Sequence, residues 1–183
     1  MSRYALSLLL VASTFSLQNV YGETSAEPEK YFTQLYEKTC LNNAADMSVL
    51  KTRFAEAKVP KLVDNKAVLF LEKKPGSVWV IPNVIGNYLV SIDDSLTCSV
   101  YTHSVKINEI ERQFIELLER TPLSFVLEKM QDETKQTELG PKHFISFMRT
   151  NRTDSTKQKF TLITSNSDRV EVQVKATVEI VQP

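Results

Sequence analysis

The spacing of apolar positions changes period three times along the chain. From Pro28, which a first helical turn tolerates, Phe32, Leu35, Tyr36 and Cys40 recur at helical spacing. Asp46 then stands where it can cap a second helix whose stripe is Met47, Leu50, Phe54 and Ala57, and Val59-Pro60 ends it. These two segments predict an N-terminal helical hairpin, with Cys40 on its apolar face. From Lys66 the period shortens. Ala67–Leu71, Val78–Ile81, Tyr88–Ile92 and Thr97–His103 are short β-prone runs separated by turn residues, which predicts an antiparallel meander. Cys98 and Val100 share one face of the fourth run; Ser99, Tyr101 and His103 share the other.

Ile107, Ile110, Phe114, Leu117 and Leu118 mark an amphipathic helix. Asn108 and Glu111 stand in capping-box positions, and Pro122 stops it beyond Arg120. Leu123–Met130 reads as helix continuation or strand, with strand preferred, and the polar Gln131–Leu139 reads as a loop ending at Gly140-Pro141. His143–Thr150 and Lys159–Thr164 are predicted strands joined by Asn151–Lys157, and Ser165–Asp168 is a turn. Val170–Val181 carries the cleanest alternation, with Val170, Val172, Val174, Val178 and Ile180 on one side and Glu171, Gln173, Lys175, Thr177 and Glu179 on the other. The expected class is α+β: an N-terminal helical hairpin, an antiparallel sheet with one amphipathic packing helix, and a C-terminal β-hairpin or meander. The length suits a single domain over 23–183, with sub-structures 28–120 and 121–183.

Residues 1–22 stand apart from this pattern. Arg3, the apolar core Ala5–Ala12 and the small-residue site Val20-Tyr21-Gly22 read as a signal peptide cleaved before Glu23. A buried helix or a retained anchor is the alternative. A bilayer span needs roughly 20 continuous apolar residues, however, and Ser13, Thr14, Ser16, Gln18 and Asn19 interrupt this stretch. Export changes the meaning of Cys40 and Cys98, the only two cysteines. In an oxidising compartment a pair with no competitor most simply forms one disulfide. Two buried thiols, or a metal or redox pair, are the alternatives, though neither a CxxC nor a Cys/His cluster occurs.

Basic and acidic residues balance at 22 each, and loss of Arg3 with the signal leaves one net negative charge. No polybasic run exists to neutralise phosphates, so nucleic acid is not an expected partner. Val78–Val90, the richest later apolar stretch, is broken by Pro82, Asn83, Gly86 and Asn87, so no membrane span is expected in the mature chain. No cysteine follows the cleavage site for lipid attachment.

Candidate chemistry is sparse. His103 and His143 each lie at a predicted strand end, and no GxSxG, SxxK or HExxH signature supplies a nucleophile or zinc site around them. Asp93-Asp94 resembles a cation or acid/base pair but reads more simply as a strand-connecting turn. Gly76, Gly86 and Gly140 are isolated, so no phosphate-cradling loop, nucleotide cofactor or metal is expected. Trp79, Tyr88 and Tyr101 fall on neighbouring predicted strands, either as an exposed aromatic binding patch or with at least two of them packed in the core. Asn151-Arg152-Thr153 matches a glycosylation acceptor, which acts only in a eukaryotic secretory route.

Ser77-Val78-Trp79-Val80, Cys98-Ser99-Val100-Tyr101 and the helix Ile107–Leu118 resemble small, uncharacterised exported proteins of Gram-negative bacteria. The likeness covers about Cys40–Arg120. It implies a periplasmic location and brings no activity, ligand or catalytic residue with it. The expected function is therefore a non-enzymatic periplasmic binding or accessory protein of the envelope or a secretion assembly, with an exported or envelope protein as partner. The alternatives are an inhibitor or immunity protein against a toxic or hydrolytic enzyme, and a small envelope hydrolase; an extracellular destination is the alternative to the periplasm.

Overall fold

The computed structural model describes residues 27–181; the expected signal peptide lies outside them. The fold is α+β, with four α-helices and one seven-stranded antiparallel sheet. The helical start follows the expected pattern. Helix α1 (Pro28–Tyr36) runs into a wide π-helical turn, Glu37–Leu41, and α2 (Met47–Glu56) begins behind Asp46, whose carboxylate accepts the Ser48 N–H at 3.0 Å.

Helix α3 spans Asp64–Phe70, where a strand is expected at Ala67–Leu71. Five adjacent apolar residues suit either period, and burial decides between them. Ala67 and Leu71, one helical turn apart, are buried, while Val68 and Leu69 between them are exposed; an alternating strand would have buried residue 69 with 67 and 71.

Strands β1 (Gly76–Ile81), β2 (Tyr88–Asp93) and β3 (Cys98–Thr102) then form the expected meander, and α4 (Ile107–Glu119) follows. The expected capping box does not form. Lys106 is the N-cap residue, and its N–H is accepted at 2.8 Å by Oε1 of Glu29, a buried carboxylate on α1. A residue 77 positions away thus takes the role that local spacing had given to Glu111.

The C-terminal part departs further from the polar-loop expectation. Strand β4 runs from Phe125 to Thr137, and pairs through a tight turn with β5 (Gly140–Asn151), so Gln131–Leu139 is mostly strand. That segment is polar because β4 is an edge strand, exposed along most of its length and held by ladder hydrogen bonds rather than burial. Gly140 opens β5 at φ 113°, a conformation favouring glycine, and Met130 is bulged out between Lys129 and Gln131. Strands β6 (Lys157–Thr164) and β7 (Val174–Val181) complete the set; β7 begins four residues later than the alternation suggested.

The strand order is β1-β2-β3-β7-β6-β5-β4, so the β3–β7 pairing joins the 28–120 and 121–183 segments into one sheet. Trp79, Val90, Val100, Ala176, Leu162 and Ile145 lie opposite one another in register, forming an apolar row across six strands. Phe32 and Tyr36 of α1 and Ile110, Phe114 and Leu118 of α4 pack on this face. The opposite face is covered at the β1–β2 end by α3, through Ala67, Leu71 and Val78. The outer edge of β1 is closed by Pro60–Leu62, whose backbone exchanges 2.8 Å hydrogen bonds with Val78 and Val80.

Cys40 and Cys98 are joined in a disulfide, with Cα atoms 5.4 Å apart, which links the π-helical turn to the centre of the sheet. The cysteines are 58 positions apart, and chain entropy for such a loop gives about 4 kcal/mol of stabilisation. Cys98→Ser is expected to lower the melting temperature by on the order of 10 °C in oxidising buffer and far less in reductant. Equal losses under both conditions, read by circular dichroism, would assign the effect to packing.

Candidate functional site

Covering both faces at one end of the sheet leaves a groove where β1 and β2 are joined by residues 82–87. It holds about 1210 Å³ and is lined by Phe70 of α3, Val80, Ile85, Tyr88, Leu89 and Tyr101, with Asn83, His103, Ser104 and Glu171 among its polar residues. The Asn83 side chain accepts the Ile85 N–H at 2.9 Å, an Asx turn that fixes the loop, and Val84 at its tip is fully exposed. Val63 and Leu69, chain neighbours of the groove residues Leu62 and Phe70, are also exposed.

The groove wall is pinned by polar contacts. The Tyr101 hydroxyl donates to the Phe70 carbonyl at 2.6 Å and accepts from Ser91 Oγ at 3.0 Å, which fixes the end of α3 over the sheet. Lys175 Nζ lies 2.5 Å from Glu72 Oε1, and this hydrogen bond holds the Glu72 carboxyl below its ordinary range. Tyr88 donates its hydroxyl to the Pro28 carbonyl at 3.1 Å, and burial pushes that hydroxyl up to about 12.

The aromatic trio does not form an exposed patch. Trp79, Tyr88 and Tyr101 are 2%, 0% and 4% exposed. Trp79 packs on Phe54 with ring centroids 5.1 Å apart, and its buried indole N–H has no hydrogen-bond partner. Tyr88 packs at a tilt on Tyr31 with ring centroids 4.7 Å apart, and Tyr101 meets Phe70 edge-on at 5.3 Å. Trp79 and Tyr88 lie on the sheet face packed by the N-terminal helices, and Tyr101, on the opposite face, is covered by α3, where a strand at Ala67–Leu71 would have left it open. Tyr88 and Tyr101 reach the groove only as part of its lining, and Trp79 is not among its lining residues.

The two histidines are placed very differently. His103 lines the groove, and its ring Nδ1 meets the neighbouring Ser104 hydroxyl at 2.7 Å. His143 joins residues from four elements: its Nδ1 is 2.9 Å from Glu111 Oε1 of α4, its Nε2 is 2.9 Å from Asp132 Oδ1 of β4, and Thr164 of β6 donates its hydroxyl to the same Glu111 oxygen at 2.5 Å. A carboxylate, a histidine and a hydroxyl do meet here. They do not make a nucleophile–base pair, because both ring nitrogens face carboxylates and the hydroxyl is bonded to Glu111 rather than to the imidazole.

Asp93 and Asp94 form the turn that simple propensity suggests. Burial raises the Asp93 carboxyl, but hydrogen bonds from Ser95 Oγ at 2.7 Å and Thr97 N–H at 2.9 Å, with Lys74 at 3.4 Å, bring it below its ordinary value. Asp94 pairs with Lys51 at 3.5 Å. Among the described residues no group of three or more His, Cys, Asp or Glu side chains is arranged to hold a metal ion. Asn151 opens the β5–β6 turn, where its side chain accepts the Thr153 N–H at 2.9 Å.

No protein-family model, curated protein or solved structure matches the chain. Sequence reasoning passed over the groove because Val84-Ile85 sits inside a segment dominated by Pro, Asn and Gly. That apolar pair within a turn was the available signal. Tyr101→Phe removes one hydroxyl and both of its hydrogen bonds, to the Phe70 carbonyl and Ser91 Oγ, and is expected to cost about 1–2 kcal/mol in denaturant unfolding. It should also speed hydrogen exchange in α3 more than in α4. Equal effects on both helices would show that the hydroxyl does not anchor α3.

Proposed function

We propose that the protein is an exported, non-enzymatic binding protein of the Gram-negative envelope, working in the periplasm, and that the groove at the ends of β1 and β2 receives an apolar segment of another exported or envelope protein. The observation that carries this reading is the groove, whose rim residue Val84 is fully exposed, with Val63 and Leu69 exposed beside its lining. Apolar residues displayed outside a concavity suit a protein partner, which covers the surroundings as well as the floor, better than a small ligand enclosed by the concavity alone. The disulfide supports work in an oxidising compartment. The Thr164 hydroxyl, bonded to Glu111 rather than to His143, weighs against the hydrolase reading, since a base without a nucleophile in hydrogen-bond reach makes no nucleophile–base pair.

The reading is tested by placing a photo-crosslinking residue at position 84 in cells, with position 154 in the distant β5–β6 turn as control. The expected result is a discrete adduct from position 84 only. With the partner purified, Val84→Asp should weaken binding at least about tenfold, since an apolar anchor becomes a desolvated charge, while leaving the melting temperature unchanged. Indistinguishable adducts from both positions, or turnover of peptidoglycan or ester substrates by the purified protein, would contradict it.

A further inference from the structure

The contacts of His143 require a particular protonation state. A neutral imidazole carries one N–H and one lone pair, so with a carboxylate oxygen 2.9 Å from each nitrogen one contact would set lone pair against lone pair. Both contacts are favourable only when both nitrogens donate. We propose that His143 is a pH-operated latch: as the doubly protonated cation it ties α4, β4 and β5 together, and on losing one proton to solvent it gives up its tie to Asp132 and loosens β4, which stays paired with β5 through the backbone ladder.

Which carboxylate is freed follows from the surroundings. The Glu111 side chain is 19% exposed, and its Oε1 also accepts the Thr164 hydroxyl. The Asp132 side chain is 43% exposed and keeps a separate 2.7 Å bond to Lys129 Nζ, so it can turn to water without becoming unpaired. The remaining proton therefore stays on Nδ1, toward Glu111, and the Nε2–Asp132 tie is lost. Glu111 on α4, Asp132 with Lys129 on β4, His143 on β5 and the uncharged Thr164 on β6 are the groups that face this site. The tie lies beside the bulge at Met130, and β4 is the sheet edge opposite the one closed by Pro60–Leu62.

The direction of titration agrees. Partial burial lowers the affinity of His143 for its second proton, but Glu111 and Asp132 outweigh it and the net shift is upward from the ordinary 6.5. A group raised in the folded state stabilises fully below its unfolded value, and that stabilisation is lost as pH rises through the folded value. The latch is thus closed in mild acid and opens toward alkaline pH.

The test is an NMR titration of both imidazoles from about pH 5 to about pH 9, a range that spans histidine ionisation, combined with melting curves of the wild type and His143→Gln. His143 is expected to titrate above 6.5, Asp132→Asn to lower its midpoint, and the wild type's thermal advantage over His143→Gln to shrink as pH rises. Hydrogen exchange in β4, corrected for its intrinsic pH dependence, should accelerate over the same interval in the wild type only. A midpoint at or below 6.5, or a thermal advantage that does not change with pH, would overturn the proposal. Asp132→Asn alters one exposed side chain, so its effect on the midpoint decides the matter even if His143→Gln does not fold.

Discussion

Cys98 lies opposite both Ile92 of β2 and Val178 of β7, at the junction where the two halves of the sheet meet. Its bond to Cys40 fixes the π-helical turn at that junction, and the neighbouring packing follows from this attachment. With α1 held there, Tyr36 reaches the Thr177 carbonyl at 3.0 Å, and Glu29 reaches the start of α4. One crosslink thus coordinates two helices and three strands. Without it, β3 and β7 would still pair, but the helical layer would have to find its position from side-chain packing alone.

The two faces of the sheet then acquire different roles. One is covered by α1 and α4 and forms the main core, with Trp79, Phe160 and Leu162 fully buried. The other is covered only in part, by α3, and the incomplete cover creates the groove. Polar contacts, rather than a large apolar interface, hold that cover: Tyr101 to Phe70, Ser91 to Tyr101 and Glu72 to Lys175. A groove held in this way can adapt locally while the main core stays fixed.

Legibility in the sequence followed the range of the forces involved. The stripe Ile107, Ile110, Phe114, Leu117 and Leu118 announces α4 because burial and period agree, and all five residues are buried. The cap at Asp46 and the inward phase of both cysteines were equally local facts. Ala67–Leu71 misled because five adjacent apolar residues carry no period of their own. Gln131–Leu139 misled because an edge strand can be stabilised by backbone pairing with β5 while its side chains remain polar. The groove and the Glu111–His143–Asp132 arrangement were out of reach for a different reason. Each gathers residues from several elements, and Glu111 could be read locally as a helix cap, with no trace of its partners on β5 and β6.

The central claim is that an exported chain uses one oxidised crosslink to seat its helices on the sheet junction. Intact-mass analysis of the protein recovered from the export compartment, after non-reducing alkylation, tests it most directly. The account predicts a chain starting at Glu23, two hydrogens lighter than its reduced form and carrying no alkyl group. A chain that retains residues 1–22 and takes up two alkyl groups would contradict it.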